Sequence, residues 1–198
     1  MKKLLALMVA SILTICLVTL VFAGEAVNKP LLSGEKQFHQ SLTNAIPKDH
    51  LIDVFKLHEV WQKAMADPAY RKKIYLLDVR THPEFYAFHI RGSDHVSMTH
   101  VYTLPKKIKD PNAEIYVWCR TQHRATYVAG LLYKYGYKKV YCVVSTTKNG
   151  KKYYGGVVGW AQAGFPFVNQ FCGEFKITKY HKLLNEKGEY RLRMFHPY

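Results

Sequence analysis

The sequence predicts an α/β fold: a parallel sheet flanked by helices. Two observations carry this reading. Ile74–Val79, Ile115–Trp118 and Val140–Val144 are continuous apolar runs, as expected for strands buried on both faces. Segments with helical spacing alternate with them, and that order implies parallel strands joined by helical crossovers. Ligands of such sheets bind beyond the strand C-termini. Arg80 and Cys119 both fall at that edge.

The elements follow in chain order. Residues 24–48 are polar and irregular, a linker by composition. Leu51–Leu57 reads as a short strand. His58–Ala66 reads as a helix that stops before Asp67-Pro68. Ile74–Val79 is a buried strand. Pro83–Ala87 is the first turn of a short helix, with proline near its start. Pro105–Lys109 is too short to assign. Ile115–Trp118 delivers Cys119, and Thr126–Tyr135 is a helix ended by Gly136. Val140–Val144 is the next strand. Asn149-Gly150, flanked by Thr and Tyr, signals a small basic hairpin within Ser145–Tyr154. Val157–Ala163 is helical and stopped by Gly164 and Pro166. Lys176–Leu184 and Tyr190–Phe195 flank a turn-rich stretch and suggest a second hairpin in a C-terminal extension, residues 171–198.

The chain has 198 residues, 48% of them hydrophobic, enough for one core with extensions. Its formal net charge is +15. Removing the two lysines of the first 23 residues leaves +13, which suits an anionic partner or a solvated basic surface. No helix-turn-helix, zinc or RNP signature accompanies the charge, so no nucleic acid is expected. Residues 1–23 read as a signal peptide: Lys2 and Lys3, the apolar Leu4–Val21, then Val21-Phe22-Ala23 before Gly24. This places the protein in a periplasm or outside the cell. Retention of the segment would instead anchor it in a membrane. Beyond the leader the cysteines are Cys119, Cys142 and Cys172, an odd number, so one thiol stays unpaired in a monomer. Their spacing fits no metal site and the histidines are scattered, so no metal is implied.

The strand ending at Trp118 runs into Cys119-Arg120-Thr121-Gln122-His123-Arg124-Ala125 and then a helix. Backbone N–H groups in a strand-to-helix loop form an anion cradle, and the helix dipole adds positive charge. Arg120 and Arg124 add full charges. A thiol there is expected to have a depressed pKa and to act as a nucleophile. The other reading of Cys119 is a buried core cysteine.

Four segments together resemble the rhodanese family of sulfurtransferases over Asp53 to Val168. Leu77-Asp78-Val79-Arg80 is similar to its first signature. Glu84-Phe85 with His89-Ile90-Arg91-Gly92-Ser93 is similar to its second, with Phe88 where the family has glycine. Cys119–Ala125 resembles its active-site loop, with Gln122 in place of the loop glycine. Gly155-Gly156 through Trp160 to Val168 resembles its closing signature, which here follows the inserted residues 145–154. The resemblance implies a rhodanese-like domain over 49–170 and sulfane-sulfur transfer through a persulfide on Cys119.

Arg120, Thr121, Gln122, His123, Arg124 and Ala125 would bind the donor, with Asp78 and Arg80 supporting the loop. The implied partners are a small anionic sulfur donor such as thiosulfate and an acceptor that is a thiol, cyanide or a protein cysteine. No cofactor is required. Related cysteine phosphatases and arsenate reductases use a loop one residue longer, so the shorter loop suits a sulfur atom. Arg124 has two roles open to it: stabilising the persulfide, or tying the loop to Asp78 or Glu84. The Gln122 substitution is expected to strain or reshape the loop. It keeps a second class open, a rhodanese-like binding or redox-sensing module.

Overall fold

The computed structural model describes residues 29–171 and 173–177. The leader and the expected C-terminal hairpin lie outside them, apart from Lys176 and Ile177, which are in no helix or strand. The chain divides into two units after His39. Within the first, Gln37 Nε2 donates to Ser33 Oγ at 3.4 Å on helix α1 (Lys29–Thr43). Most of the expected irregular linker is therefore helix. Leu42 and Ile46, one helical turn apart in spacing, are buried at 0% and 4% exposure, and that burial rather than composition accounts for ordered chain here.

The second unit holds the parallel sheet. Its strands are β1 (Leu51–Ile52), β2 (Ile74–Asp78), β3 (Asp94–His95), β4 (Glu114–Trp118) and β5 (Lys139–Val143), in the order β1-β5-β4-β2-β3. All pairs are parallel, with Leu77 opposite Val117 and Val117 opposite Cys142. Alternate residues enter two different cores. Leu77, Ile115, Val117, Cys119 and Cys142 face helix α6 (His123–Lys134) through Ala125, Val128, Ala129 and Leu132. Leu76, Tyr116, Trp118 and Val143 face helices α2 (Val54–Ala66) and α7 (Gly156–Gln162) through Leu57, Val60, Val157 and Trp160. Burial on both faces is why these strands read as unbroken apolar runs.

The expected strand Leu51–Leu57 is cut short after Ile52. Asp53 accepts a hydrogen bond from the Lys56 N–H at 2.8 Å and starts α2 four residues earlier than predicted. Asp67 caps the next turn, α3 (Pro68–Arg71), through Ala69 and Tyr70. Helix α4 (His82–Ala87) opens with a capping box between Thr81 and Glu84. The unassigned segment near Pro105 forms the single turn α5 (Leu104–Lys107). The inserted hairpin is present: β6 (Thr146–Lys148) pairs antiparallel with β7 (Lys151–Tyr153). Asn149 and Gly150 make its turn at φ 51° and 74°, the conformation that Asn-Gly favours.

Among the described residues no helix is long and apolar enough to cross a membrane.

Candidate active site

The loops that leave β2, β4 and β5 meet at the C-terminal edge of the sheet. From β2, Asp78 and Arg80 are buried at 0% and 1% exposure. Arg80 Nε donates to both Asp78 carboxylate oxygens at 3.0 Å, and Nη2 donates to Oδ2 at 2.8 Å. The same guanidinium donates to the carbonyls of Glu84 (3.0 Å) and Phe88 (2.6 Å). Arg80 thus pins both ends of α4 to the sheet, and α4 carries the Glu84 that holds Arg124 of the cysteine loop. Phe88 replaces a small residue without loss: its backbone is extended at φ −169°, and its ring lies under Arg80 at 5.0 Å and against Phe167 at 5.1 Å.

Helix α4 presents Glu84 to the cysteine loop. Arg124 Nη1 and Nη2 donate to its two oxygens at 2.6 and 2.7 Å, and the Thr81 hydroxyl donates at 2.8 Å. Burial disfavours the charged carboxylate. The Arg124 fork and the Thr81 contacts outweigh it and hold the Glu84 carboxyl at about 2. Of the two roles open to Arg124, the tie to Glu84 is present.

Cys119 follows β4 and has no exposed surface. The N–H groups of Ala125 and Thr121 act on it in the direction that favours the thiolate, as does the Arg124 charge. Loop geometry explains the Thr121 contribution. The Arg120 carbonyl accepts from Val158 N–H at 3.0 Å, and a trans peptide points the following N–H the opposite way, inward. The loop N–H groups and the Arg124 charge act in the expected direction, but the expected low thiol pKa is not found: burial pushes the Cys119 thiol up against them. Charge near a thiol is legible in sequence, but its exclusion from water is not. The Thr121 hydroxyl oxygen is buried and makes no hydrogen bond among the described residues.

Gln122 is not strained. Its φ of −171° is ordinary extended backbone, so glycine is not needed there. Its side-chain oxygen accepts the Ser145 N–H at 2.9 Å, and the Ser145 hydroxyl accepts from the Gly155 N–H at 3.3 Å. The two departures from the family pattern, Gln122 and the inserted hairpin, are thus joined to each other. Behind them, the Thr126 hydroxyl donates to the Gln122 carbonyl at 3.2 Å and lies 3.8 Å from Cys142 Sγ. Cys142 is the core residue expected, with its thiol pushed up to about 12 by burial. His123 is exposed at the start of α6, and Arg120 is half-buried.

The Gly155-Gly156 turn grips the loop from the other side. Val157 N–H donates to the Cys119 carbonyl at 3.0 Å. A Cβ on Gly156 would lie 2.0 Å from that oxygen, and one on Gly155 would lie 2.3 Å from the Thr121 oxygen. Glu84, Ser145 and these glycines complete the site. The glycines stood in a recognised motif, and Glu84 was one of two anchors open to Arg124. Ser145 carried no sequence signal, because its contact spans the insertion. Among the described residues no group of three or more His, Cys, Asp or Glu side chains is placed to hold a metal.

A cysteine loop between a buried Asp–Arg pair and a Gly-Gly turn, on a parallel sheet, defines a rhodanese-type architecture. The rhodanese-like domain model matches residues 57–163, more than half of the sequence, and the chain belongs to that family. No curated protein matches it in sequence. Several solved structures are similar to it. The polysulfide-sulfur transferase homodimer of Wolinella succinogenes is 22% identical, with 69% of this chain and 90% of that one covered and a TM-score of 0.46. A thiosulfate sulfurtransferase of Pseudomonas aeruginosa is 21% identical, with 59% and 21% covered and a TM-score of 0.43. A rhodanese-like domain from Anabaena is 21% identical, with 48% and 98% covered and a TM-score of 0.38.

Proposed function

We propose that this protein transfers sulfane sulfur from a small anionic donor such as thiosulfate to a thiophilic acceptor, through a persulfide on Cys119. The observation that carries the proposal is the seating of Cys119 on a strand-to-helix loop held between the Arg124–Glu84 ion pair and the Gly155-Gly156 turn, in a chain of the rhodanese-like family. The Cys119 thiolate attacks the outer sulfur of thiosulfate. A new S–S bond forms, the old one breaks, and its electron pair leaves with sulfite. The persulfide anion is then stabilised by the loop N–H groups and by Arg124, with the Thr121 hydroxyl available as a further donor. An acceptor (a thiolate, cyanide or a protein cysteine) attacks the outer sulfur and releases the Cys119 thiolate.

Arg120, Gln122 and His123 border the path to the sulfur, and Asp78 and Arg80 hold the frame. Because Cys119 has no exposed surface, a donor reaches it only when the loop or the adjoining hairpin moves. Sulfite release from thiosulfate with cyanide as acceptor tests the reading. Turnover above that of Cys119→Ser is expected, and equal rates would sink it.

The burial of Cys119, which pushes its thiol up, favours a second reading, a rhodanese-like module that binds a partner or senses redox state without turnover. The same assay separates the two. We further propose export, with a mature chain beginning near Gly24. N-terminal sequencing from the native host checks this, and residues 1–23 retained in a membrane fraction would replace it with an anchored protein.

A further inference from the structure

The inserted hairpin supplies no group to the chemistry above, yet its base is built into the cysteine loop through Gln122, Ser145 and Gly155. Its composition is one-sided. Between Val144 and Gly173 there is no acidic residue, and the hairpin carries Lys148, Lys151 and Lys152, all exposed. Lys148 and Lys151 are register partners across the two strands, a like-charge placement that costs stability in a ribbon already short of neighbours. Each ammonium group lies over an aromatic ring, and two of those rings, Phe55 and Tyr153, meet edge to face at 4.9 Å. Lys148 Nζ sits over the Phe55 ring at 4.1 Å, Lys151 Nζ over Tyr153 at 5.0 Å and Lys152 Nζ over Tyr154 at 5.1 Å. The nearby carboxylate that feels Lys148, Glu59, is already paired with Lys56 at 2.8 Å.

The charge lies along both strands of an exposed ribbon with no acidic residue of its own to balance it. Such a surface is complementary to an extended acidic segment. We propose that the β6–β7 hairpin is a docking surface for an acidic segment of a partner protein. Resting on the sulfur-transfer reading, that partner is the protein that gives sulfur to Cys119 or takes it away. Docking there sets the partner against the strand of chain that bonds Gln122, next to the one buried thiol the chemistry requires.

Fluorescence anisotropy with two dye-labelled, cysteine-free peptides tests the surface independently of sulfur chemistry. One peptide alternates Glu and Gly; the other alternates Gln and Gly. The acidic peptide is expected to bind the full chain. Its affinity is expected to fall about tenfold or more in the triple variant Lys148→Gln, Lys151→Gln, Lys152→Gln. It should also collapse as salt rises from about 0.01 M to 1 M, over which the screening length shrinks from about 30 to 3 Å. Circular dichroism confirms that the variant is folded.

Equal affinity of the variant, or of the Gln peptide, overturns the proposal. So does lysine-dependent capture of an oligothymidylate or of phosphatidylglycerol vesicles in place of the acidic peptide. Adding a terminal cysteine to each peptide then separates the two readings. Acidic-peptide binding by a protein that transfers sulfur to neither peptide and releases no sulfite from thiosulfate with cyanide supports the docking surface and removes the sulfur reading. Transfer to both peptides at one rate keeps the sulfur reading and overturns the docking surface.

Discussion

Gly156→Ala strikes the contact on which the site geometry depends. Gly156 has φ +63°, and an added Cβ would lie 2.0 Å from the Cys119 carbonyl oxygen and 2.8 Å from its carbon. The left-handed conformation costs a residue with a Cβ about 1–2 kcal/mol. The clash cannot be relieved by a side-chain rotation, because the obstructing atoms are backbone. The loop must retreat by about 1 Å or more to reach an ordinary contact. Retreat breaks or lengthens the bonds from Val157 to the Cys119 carbonyl and from Val158 to the Arg120 carbonyl, both 3.0 Å, at about 1 kcal/mol each.

The sum is roughly 3–4 kcal/mol, the size reserved for strain and broken networks. For a chain of this length that lowers the melting temperature by roughly 6–16 °C. Thermal unfolding by circular dichroism measures it, and sulfite release below the melting point should fall in parallel as the cradle is displaced from the thiol. Gly34 serves as a control, since a Cβ there meets nothing within 4 Å. Loss of less than about 0.5 kcal/mol in Gly156→Ala, a typical surface value, would refute the claim that the Gly-Gly turn grips the loop.

Other perturbations report on separate parts of the site. Cys119→Ser should keep the fold and abolish sulfur transfer, since a hydroxyl forms no persulfide; transfer at the wild-type rate would contradict the assignment. Glu84 is held at about 2 against an ordinary 4.5, so it contributes stability at pH above about 4.5 and loses it as pH falls toward 2. Because Glu84 and Arg124 retain 31% and 21% side-chain exposure, solvent screening limits the effect to about 1–2 kcal/mol. Urea unfolding at a series of pH values should show this acid loss in wild type and not in Glu84→Gln; identical slopes would refute it. The alkylation rate of Cys119 against pH should have a midpoint above the ordinary thiol value of about 8.5, because burial outweighs the cradle; a midpoint below it would overturn that balance. Gln122→Ala removes the acceptor for Ser145 N–H, so Cys119 should alkylate faster at a stability cost of about 1 kcal/mol; an unchanged rate would mean that the hairpin base does not restrain the loop.

The elements legible in the sequence were those whose cause is local. Strands β2, β4 and β5 announced themselves as apolar runs because both of their faces are covered. The hairpin turn was written in Asn149-Gly150, whose positive φ values few other pairs adopt. The Asp78–Arg80 pair was readable as a motif, but its ties to the carbonyls of α4 were not. What escaped was set by distant contacts. Helix α1 was hidden in a polar composition; of its residues in the second unit Leu42 is buried, as is Ile46 just beyond its end. Asp53 stands inside an apolar stretch, and only its bond to Lys56 shows it to be a cap that ends β1. Gln122 looked like a misfit because the glycine expectation assumed a positive φ, whereas its backbone is extended and its side chain holds Ser145, 23 positions away. The thiol acidity was misjudged for the same reason: charges are counted from a sequence, but burial is a property of the packed loop.

Mass spectrometry of the mature protein after incubation with thiosulfate tests the persulfide most directly. Trypsin isolates Cys119 in the peptide Asp110–Arg120. The predicted result is a gain of one sulfur atom on that peptide, removed by cyanide or a thiol and absent from Cys119→Ser. An unmodified Asp110–Arg120 peptide, or sulfur found on Cys142 or Cys172 instead, would contradict it.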